Sequence, residues 1–213
     1  MTPPPGAPAA WITEDVATLP KNIYGVTKLA AENLCELFHR THGLPCLILR
    51  TSRFFPEADD NRETRQSYAD ANVKANEFLY RRADIADVAS AHTLALQRAQ
   101  AIGFGRFIVS APTPFTRDDL PDLATNAPAV VRRHVPLYED VYLRQGWSMF
   151  PHIDRVYVSE RARTEMGWTP AYDFARVIDV LNTGGDPRSS LARAVGSKGY
   201  HAETFADGPY PVE

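Results

Sequence analysis

The sequence has no long apolar run and no dense cluster of basic residues. None of its apolar stretches comes close to the length of about 20 residues that a membrane-spanning helix needs. The 213-residue chain carries a formal net charge of −3, with 23 basic against 26 acidic side chains. These absences argue against a membrane protein and against a nucleic-acid-binding protein.

Metal and disulfide patterns are also missing. The two cysteines, Cys35 and Cys46, have neither the CxxC spacing nor the neighbours of a metal site. We therefore expect both thiols to be buried and reduced, which favours a cytoplasmic location. The adjacent carboxylates of Asp59 and Asp60 lack a His or third carboxylate, so no metal site is predicted. No G-x-S-x-G elbow supports a hydrolase.

A phosphate-binding glycine turn is the third absence. No three of the twelve glycines fit G-x-G-x-x-G or G-x-x-G-x-x-G, the turns with which a Rossmann half binds a dinucleotide pyrophosphate. The segment from Gly103 to Gly105 is interpreted as a turn between a helix and a strand. Residues 1–10 are too proline-rich for a strand and lack the regions of a signal peptide.

The most informative feature that is present is Tyr24, followed four residues later by Lys28. Residues at this spacing are neighbours on one helix face, so the ammonium can lie close to the phenol. A cation within about 4–6 Å favours the phenolate and suits the tyrosine to general-base chemistry. Gly25 would let a flat ligand approach the helix. The alternative is an ordinary helix with an exposed lysine and a half-buried tyrosine.

The surrounding pattern predicts an α/β fold. Apolar residues at helical spacing predict a helix over residues 23–42, ended by Gly43. Residues 44–50 predict a buried strand of a parallel sheet covered on both faces. Further along, Asp84 is a predicted N-cap, and Asp87 and His92 are interpreted as structural. The other predicted elements are an irregular segment 59–65, a helix ending near residue 80, a strand 107–110, a short helix 118–123, a helix 159–167 and a last helix 173–181.

Three segments in this order resemble one family. Residues 24–32, 82–92 and 161–170 are similar to the extended short-chain dehydrogenase/reductases, in the NAD-dependent epimerase/dehydratase group that includes UDP-glucose 4-epimerase. The resemblance implies the C-terminal portion of an extended Rossmann-type, NAD(P)-binding fold with a small substrate-binding lobe. Residues 1–110 would be the remaining Rossmann-like part, and residues 111–213 mainly the lobe and tail, with segments interleaved. The dinucleotide-binding half, which precedes this part in the family, is expected to be absent.

The resemblance also implies roles for particular residues. Tyr24 and Lys28 would be catalytic and would contact the cofactor, NAD with NADP not excluded. Ser52 and Phe54 would lie near the nicotinamide. Arg53 stands where similar enzymes have an Asn, and it would bind a phosphate or carboxylate or be a solvated arginine beside two core phenylalanines. The remaining predicted substrate contacts, to a nucleotide diphosphate, are Asn72 and Arg82, with surface polar groups as the alternative.

Three functions follow as alternatives. The first is an epimerase or dehydratase acting on a nucleotide sugar, and the second is an NAD(P)-dependent reductase of a small carbonyl compound. The third is a non-catalytic module that forms dimers or binds partners. The family further implies a homodimer through the Tyr24–Lys28 helix. We expect the chain by itself to be inactive and to expose sheet edge and apolar surface. The tail from residue 196 to 213 is interpreted as an ordered wrap.

Overall fold

The chain alternates short parallel strands with helices. A computed structural model describes residues 3, 4 and 6–196. In chain order its elements are β1 (Ala10–Ile12), α1 (Ile23–His42), β2 (Cys46–Thr51), α2 (Arg62–Ser67), α3 (Asp70–Glu77), α4 (Ile85–Ile102), β3 (Phe104–Val109), a 3₁₀ turn (Arg117–Asp119), α5 (Leu120–His134), α6 (Tyr138–Gln145), β4 (Arg155–Tyr157), a π-helical turn (Ala162–Met166), α7 (Phe174–Asn182) and α8 (Ser190–Val195).

Two parallel strand pairs organise these elements. β2 pairs with β3 in a register that places Cys46 beside Phe104 and Thr51 beside Val109. β1 pairs with β4, with Ala10 beside Arg155. The connection from β2 to β3 runs through three helices, as parallel pairing requires. The predicted α/β class is therefore confirmed.

β2 is less buried than its apolar run predicts. All its residues are only half-buried, except the exposed Thr51. Within the described part of the chain β2 pairs with β3 alone, so one of its edges has no neighbouring strand. The expectation of a buried strand is wrong, since its residues are only half-buried, and the expectation of an exposed sheet edge is confirmed.

α1 is the clearest success of the sequence pattern. The Asn22 side chain accepts a hydrogen bond from the Gly25 N–H at 2.9 Å, and Gly43 ends the helix in the left-handed conformation, with φ of 66°. None of its residues is buried, however. Six of its large side chains between Ile23 and Phe38 are 44% to 77% exposed, whereas Leu29 is half-buried. One side of α1 thus lies on the β2–β3 pair, where Glu32 bonds to Arg50 and Arg106, and most of its apolar side chains remain uncovered in the described residues.

Several boundaries differ from those predicted. Ala10 belongs to strand β1, and its N–H donates to Asp154 O. The strand therefore begins at the last residue of the segment 1–10, which was expected to contain no strand. Only Gly103 forms the expected turn, while Gly105 lies inside β3. Helix α2 occupies part of segment 59–65, which was expected to be irregular. Helix α5 continues well beyond the short helix predicted over 118–123. Helix α8 follows the helix predicted to be the last.

Two apolar clusters hold the described chain together. The larger joins α3, α5, α6 and α7 around Leu123, Tyr142 and Phe174. The smaller joins α4 and β3 around Phe107 and Trp168. Asp87 at the start of α4 accepts backbone hydrogen bonds from residues 171 and 172 at 2.8 and 2.9 Å, which agrees with its predicted structural role. Of the predicted ordered tail, residues 197–213 lie outside the described part.

Three further expectations from the sequence concern the cysteines, metal sites and membrane-spanning helices. Cys35 and Cys46 are free and half-buried rather than buried. Burial, with Cys35 as a neighbour, raises the pKa of the Cys46 thiol. The described residues contain no group of three or more potential metal ligands. No helix among them has the length and apolar character that crossing a bilayer requires.

Candidate functional site

Tyr24 and Lys28 meet on the first turns of α1. The Lys28 Nζ atom lies 5.5 Å from the centroid of the Tyr24 ring, as their spacing predicts. The Tyr24 side chain is 66% exposed, so the half-buried tyrosine of the alternative interpretation is not observed. The phenol is available to a ligand on a helix whose start is fixed by the Asn22 cap.

Gly25 serves a packing purpose next to this pair. A Cβ atom at this position would lie 3.2 Å from Pro20 Cβ and 3.5 Å from Asn22 Oδ1. The open side of the glycine is therefore filled by the preceding segment of the chain. The expectation that it admits a flat ligand is wrong, because Pro20 takes that space.

The segment after β2 begins with Ser52 and Arg53. The Ser52 N–H donates to Val109 O at 2.9 Å, which extends the β2–β3 pairing by one residue. The Ser52 Oγ atom is buried and has no hydrogen-bond partner in the described structure. Arg53 forms an isolated parallel bridge with Arg82, so the backbones of two predicted contact residues run side by side.

A buried cluster of ion pairs underlies these arginines. Glu77, whose side chain is 1% exposed, lies 3.3 Å from Arg53, 2.9 Å from Arg81 and 2.9 Å from Arg82. Asp59 adds ion pairs to Arg53 at 2.7 Å and to Arg81 at 3.2 Å. The guanidinium groups are therefore held by carboxylates from α3 and from the segment after β2.

This cluster changes how Arg53 and Arg82 are interpreted. Arg53 is not freely solvated, since its guanidinium pairs with Asp59, Asp60 and Glu77. Of the two phenylalanines that follow it, Phe54 packs against the smaller apolar cluster, whereas Phe55 is exposed. Arg82 is buried rather than a surface group, and it donates to Phe55 O at 3.1 Å. Burial lowers the pKa of the Arg82 guanidinium, and Glu77 opposes that change.

Asn72 is buried, and both ends of its side-chain amide bond to Ser148. Its Nδ2 donates to Ser148 O at 3.0 Å, and its Oδ1 accepts from Ser148 N–H at 3.1 Å. Both ends of the amide thus join α3 to the segment after α6. The surface alternative is wrong for Asn72, and a role in substrate binding stays a prediction.

A cavity of about 670 Å³ opens beside the arginine cluster. Phe54 and Arg82 are the two predicted site residues in its wall, whereas Tyr24, Lys28, Ser52, Arg53 and Asn72 are outside it. The rest of the wall comes from residues 55 and 56 after β2, from α3, the start of α4, Trp147, α7 and residues 184–195. Lys74, on the helix predicted to carry the diphosphate contacts, also lies in this wall. The sequence interpretation missed Trp147 and Arg188, for which no local pattern gave a signal.

Comparison with known proteins identifies the family. The family model for the NAD dependent epimerase/dehydratase family matches residues 3–109, about half of the chain. The chain belongs to this family. No curated protein matches it. Membership and the parallel strands together confirm the predicted fold class, part of a Rossmann-type fold.

Solved structures of family members resemble the chain at low identity. UDP-N-acetylglucosamine 4-epimerase from Bacillus cereus is 18% identical with a TM-score of 0.47, over 81% of this chain and 54% of that one. RMD from Pseudomonas aeruginosa, complexed with NADPH, is 19% identical with a TM-score of 0.47, over 81% and 59%. UDP-glucuronic acid 4-epimerase from Bacillus cereus, with UDP-glucuronic acid and NAD, is 16% identical with a TM-score of 0.46, over 82% and 57%. The chain thus spans little more than half the length of these epimerase/dehydratase structures.

Proposed function

We propose that this chain supplies the proton-transfer and substrate-side part of an NAD-dependent epimerase or dehydratase. The observation that carries the proposal is the exposed Tyr24 phenol with the Lys28 Nζ atom 5.5 Å from its ring. Tyr24 Oη takes the proton of a substrate hydroxyl while the carbon is oxidised. The Lys28 ammonium, which lies over the Tyr24 ring, is the positive charge proposed to accompany this proton transfer.

Tyr24, Lys28 and Ser52 are the proposed contacts of the nicotinamide and its ribose. Tyr24 and Lys28 supply a hydroxyl and an ammonium group, and the Ser52 Oγ atom has no hydrogen-bond partner in the described structure. When bound, NAD accepts the hydride that the substrate carbon releases. The sequence contains no glycine-rich turn for the pyrophosphate. We infer that other polypeptide must hold that end, so the 213-residue chain alone is inactive.

Two substrate classes are candidates. A nucleotide sugar is the first, because the solved family members include epimerases that act on UDP-sugars. Arg53, Asn72 and Arg82 are its proposed contacts, with Phe54 beside the cofactor. A small carbonyl compound, reduced with net consumption of NAD(P)H, is the second. It is favoured by the pairing of Arg53 and Arg82 with Asp59 and Glu77, which neutralises the cations that a diphosphate would need.

A homodimer through α1 is the proposed assembly. Most of the large apolar side chains of this helix are exposed, and in the described chain nothing covers them. Exposed apolar surface of this kind marks an interaction site in many proteins. A non-catalytic dimerisation module remains the alternative function if the catalytic test fails.

The test uses the longest in-frame polypeptide that contains residues 1–213. We expect it to interconvert a UDP-sugar or to oxidise NADH with a carbonyl compound. Replacing Tyr24 by Phe removes the general base and should lower kcat by about 10²–10⁴-fold. Tyr172→Phe is the matched control, since its ring contacts Arg176 away from α1. Unchanged kcat in Tyr24→Phe would refute the catalytic role, and turnover by the 213-residue chain alone would refute the proposed inactivity.

A further inference from the structure

The cavity beside Arg82 has an aromatic wall assembled from three separate segments. Phe54 and Phe55 follow β2, with ring centroids 4.1 Å apart, Phe78 ends α3, and Trp147 follows α6. Val177 on α7 continues the apolar surface. A cavity of about 670 Å³ with such a lining is of the size and character that holds a small organic molecule.

Two cationic side chains at the rim are already neutralised. Lys74 forms an ion pair with Asp70 one helical turn earlier and also donates to Pro56 O. The Arg188 guanidinium lies 2.7 Å from the Asp186 carboxylate. The hydrogen bond from Arg188 lowers the pKa of Asp186 to about 2, so this carboxylate stays ionised at neutral pH.

The third cation of the wall, Arg82, is paired with the buried Glu77 at 2.9 Å. Asp84, another wall residue, accepts hydrogen bonds from Ala86 N–H and Ser189 N–H. The wall therefore contains three cations (Lys74, Arg82, Arg188) and three carboxylates (Asp70, Asp84, Asp186), and Glu77 lies behind them. A site for a diphosphate needs an excess of positive charge, and this cavity has none.

We propose that the cavity binds an uncharged ring compound carrying a carbonyl or hydroxyl group, and that it discriminates against nucleoside diphosphates. The aromatic wall stacks against the ring, because flat apolar surfaces gain most from burial between aromatic side chains. The paired ammonium and guanidinium groups of the wall can still donate one or two hydrogen bonds to the ligand. Because carboxylates balance their charge, they do not attract a polyanion. The carbonyl or hydroxyl in this class rests on the second substrate class of the proposed function, the small carbonyl compound, whereas the ring and the absence of charge rest on the cavity alone.

The test is a titration by saturation-transfer NMR of the full 213-residue chain, with acetophenone and UDP as the two probes. Circular dichroism first establishes that each variant has the secondary structure of the parent chain. Acetophenone should give a saturable signal, and UDP should bind at least about tenfold more weakly, as expected when no cation excess is present. Because the titration contains no cofactor and no turnover, failure of Tyr24 as a base would leave its result unchanged.

A matched pair of substitutions on α8 locates the site. Ala192 lies in the cavity wall, and Ala194, two residues further on the same helix, does not. Ala192→Phe fills the space and should weaken acetophenone binding by at least about fivefold, because a ligand cannot enter volume that a side chain occupies. Ala194→Phe should leave binding within about twofold of the parent.

Three results would overturn the proposal. The first is no saturable binding of acetophenone by the folded chain. The second is UDP binding as tight as that of acetophenone and competing with it, which would assign the cavity to nucleotides. The third is acetophenone binding that Ala192→Phe leaves unchanged, which would place the ligand on another apolar surface, such as the exposed face of α1.

Discussion

Glu77 is the residue whose loss should destabilise the fold most among the charged groups near the cavity. The substitution Glu77→Gln keeps the shape of the side chain but removes the negative charge beneath three guanidinium groups, at 2.9, 2.9 and 3.3 Å. Arg53 and Arg81 retain Asp59 as a partner. Arg82 retains the Phe55 carbonyl and the more distant charge of Asp70, so a buried cation loses the carboxylate with which it is paired.

The size of the effect follows from the balance of attraction and desolvation. At an effective dielectric constant of about 20, two unit charges about 4 Å apart attract by about 4 kcal/mol. Three such attractions are largely offset by the cost of burying the carboxylate itself. Removing one partner of a buried pair therefore costs about 3–5 kcal/mol of unfolding free energy. For a chain of this size, that loss lowers Tm by about 6–20 °C.

Urea unfolding followed by circular dichroism measures this loss. Glu63→Gln on α2 is the control, because Glu63 is exposed, and it should change the unfolding free energy by less than about 0.5 kcal/mol. A double-mutant cycle with Arg82→Gln should yield a coupling of at least about 1 kcal/mol, since the two side chains share one ion pair. If Glu77→Gln is as stable as Glu63→Gln, the buried cluster does not support the cavity wall and the reasoning is refuted.

Two other predictions concern acid stability and close packing. Burial raises the pKa of Glu32, but hydrogen bonds from Arg50 and Arg106 outweigh it and hold that pKa below its usual 4.5. Because the folded pKa is the lower one, this stabilisation is present above pH 4.5 and is lost as pH falls through the folded value. Urea unfolding from pH 6 to pH 3 should therefore show a smaller loss for Glu32→Gln than for the parent chain, and parallel profiles would contradict this. Gly105→Ala would place a Cβ atom 2.6 Å from the buried Phe107 ring. This clash should lower the free energy of unfolding by about 1–3 kcal/mol and lower Tm. An unchanged Tm would contradict the prediction.

Local patterns were sufficient for helices α1, α4 and α7 and for one pair of site residues. The 3.6-residue period predicts helix α1 and brings Lys28 next to Tyr24. Capping chemistry within a few residues sets the start of the helix and its end at Gly43. Asp84 caps α4 and accepts from Ala86 N–H, as its position before the helix predicts. Asp173 similarly precedes α7 and caps it.

Other expectations failed because burial is a property of neighbours in space. The apolar run of β2 predicts a buried strand, yet its residues are only half-buried, and in the described chain it pairs with β3 alone. Asn72 is polar and lies on a short helix, which suggests a surface group. It is buried because Ser148, 76 positions later, offers it both a donor and an acceptor.

The sequence by itself determined the family, the α/β class and the Tyr24–Lys28 pair, because each is encoded within a short segment whose geometry is regular. Only the tertiary structure decided that Glu77 holds three arginines and that Phe54, Trp147 and Arg188 share one cavity. Phe54 and Trp147 are more than 90 positions apart in the sequence. Contacts over such separations are set by how helices and strands pack together, and no local spacing in one sequence specifies that packing.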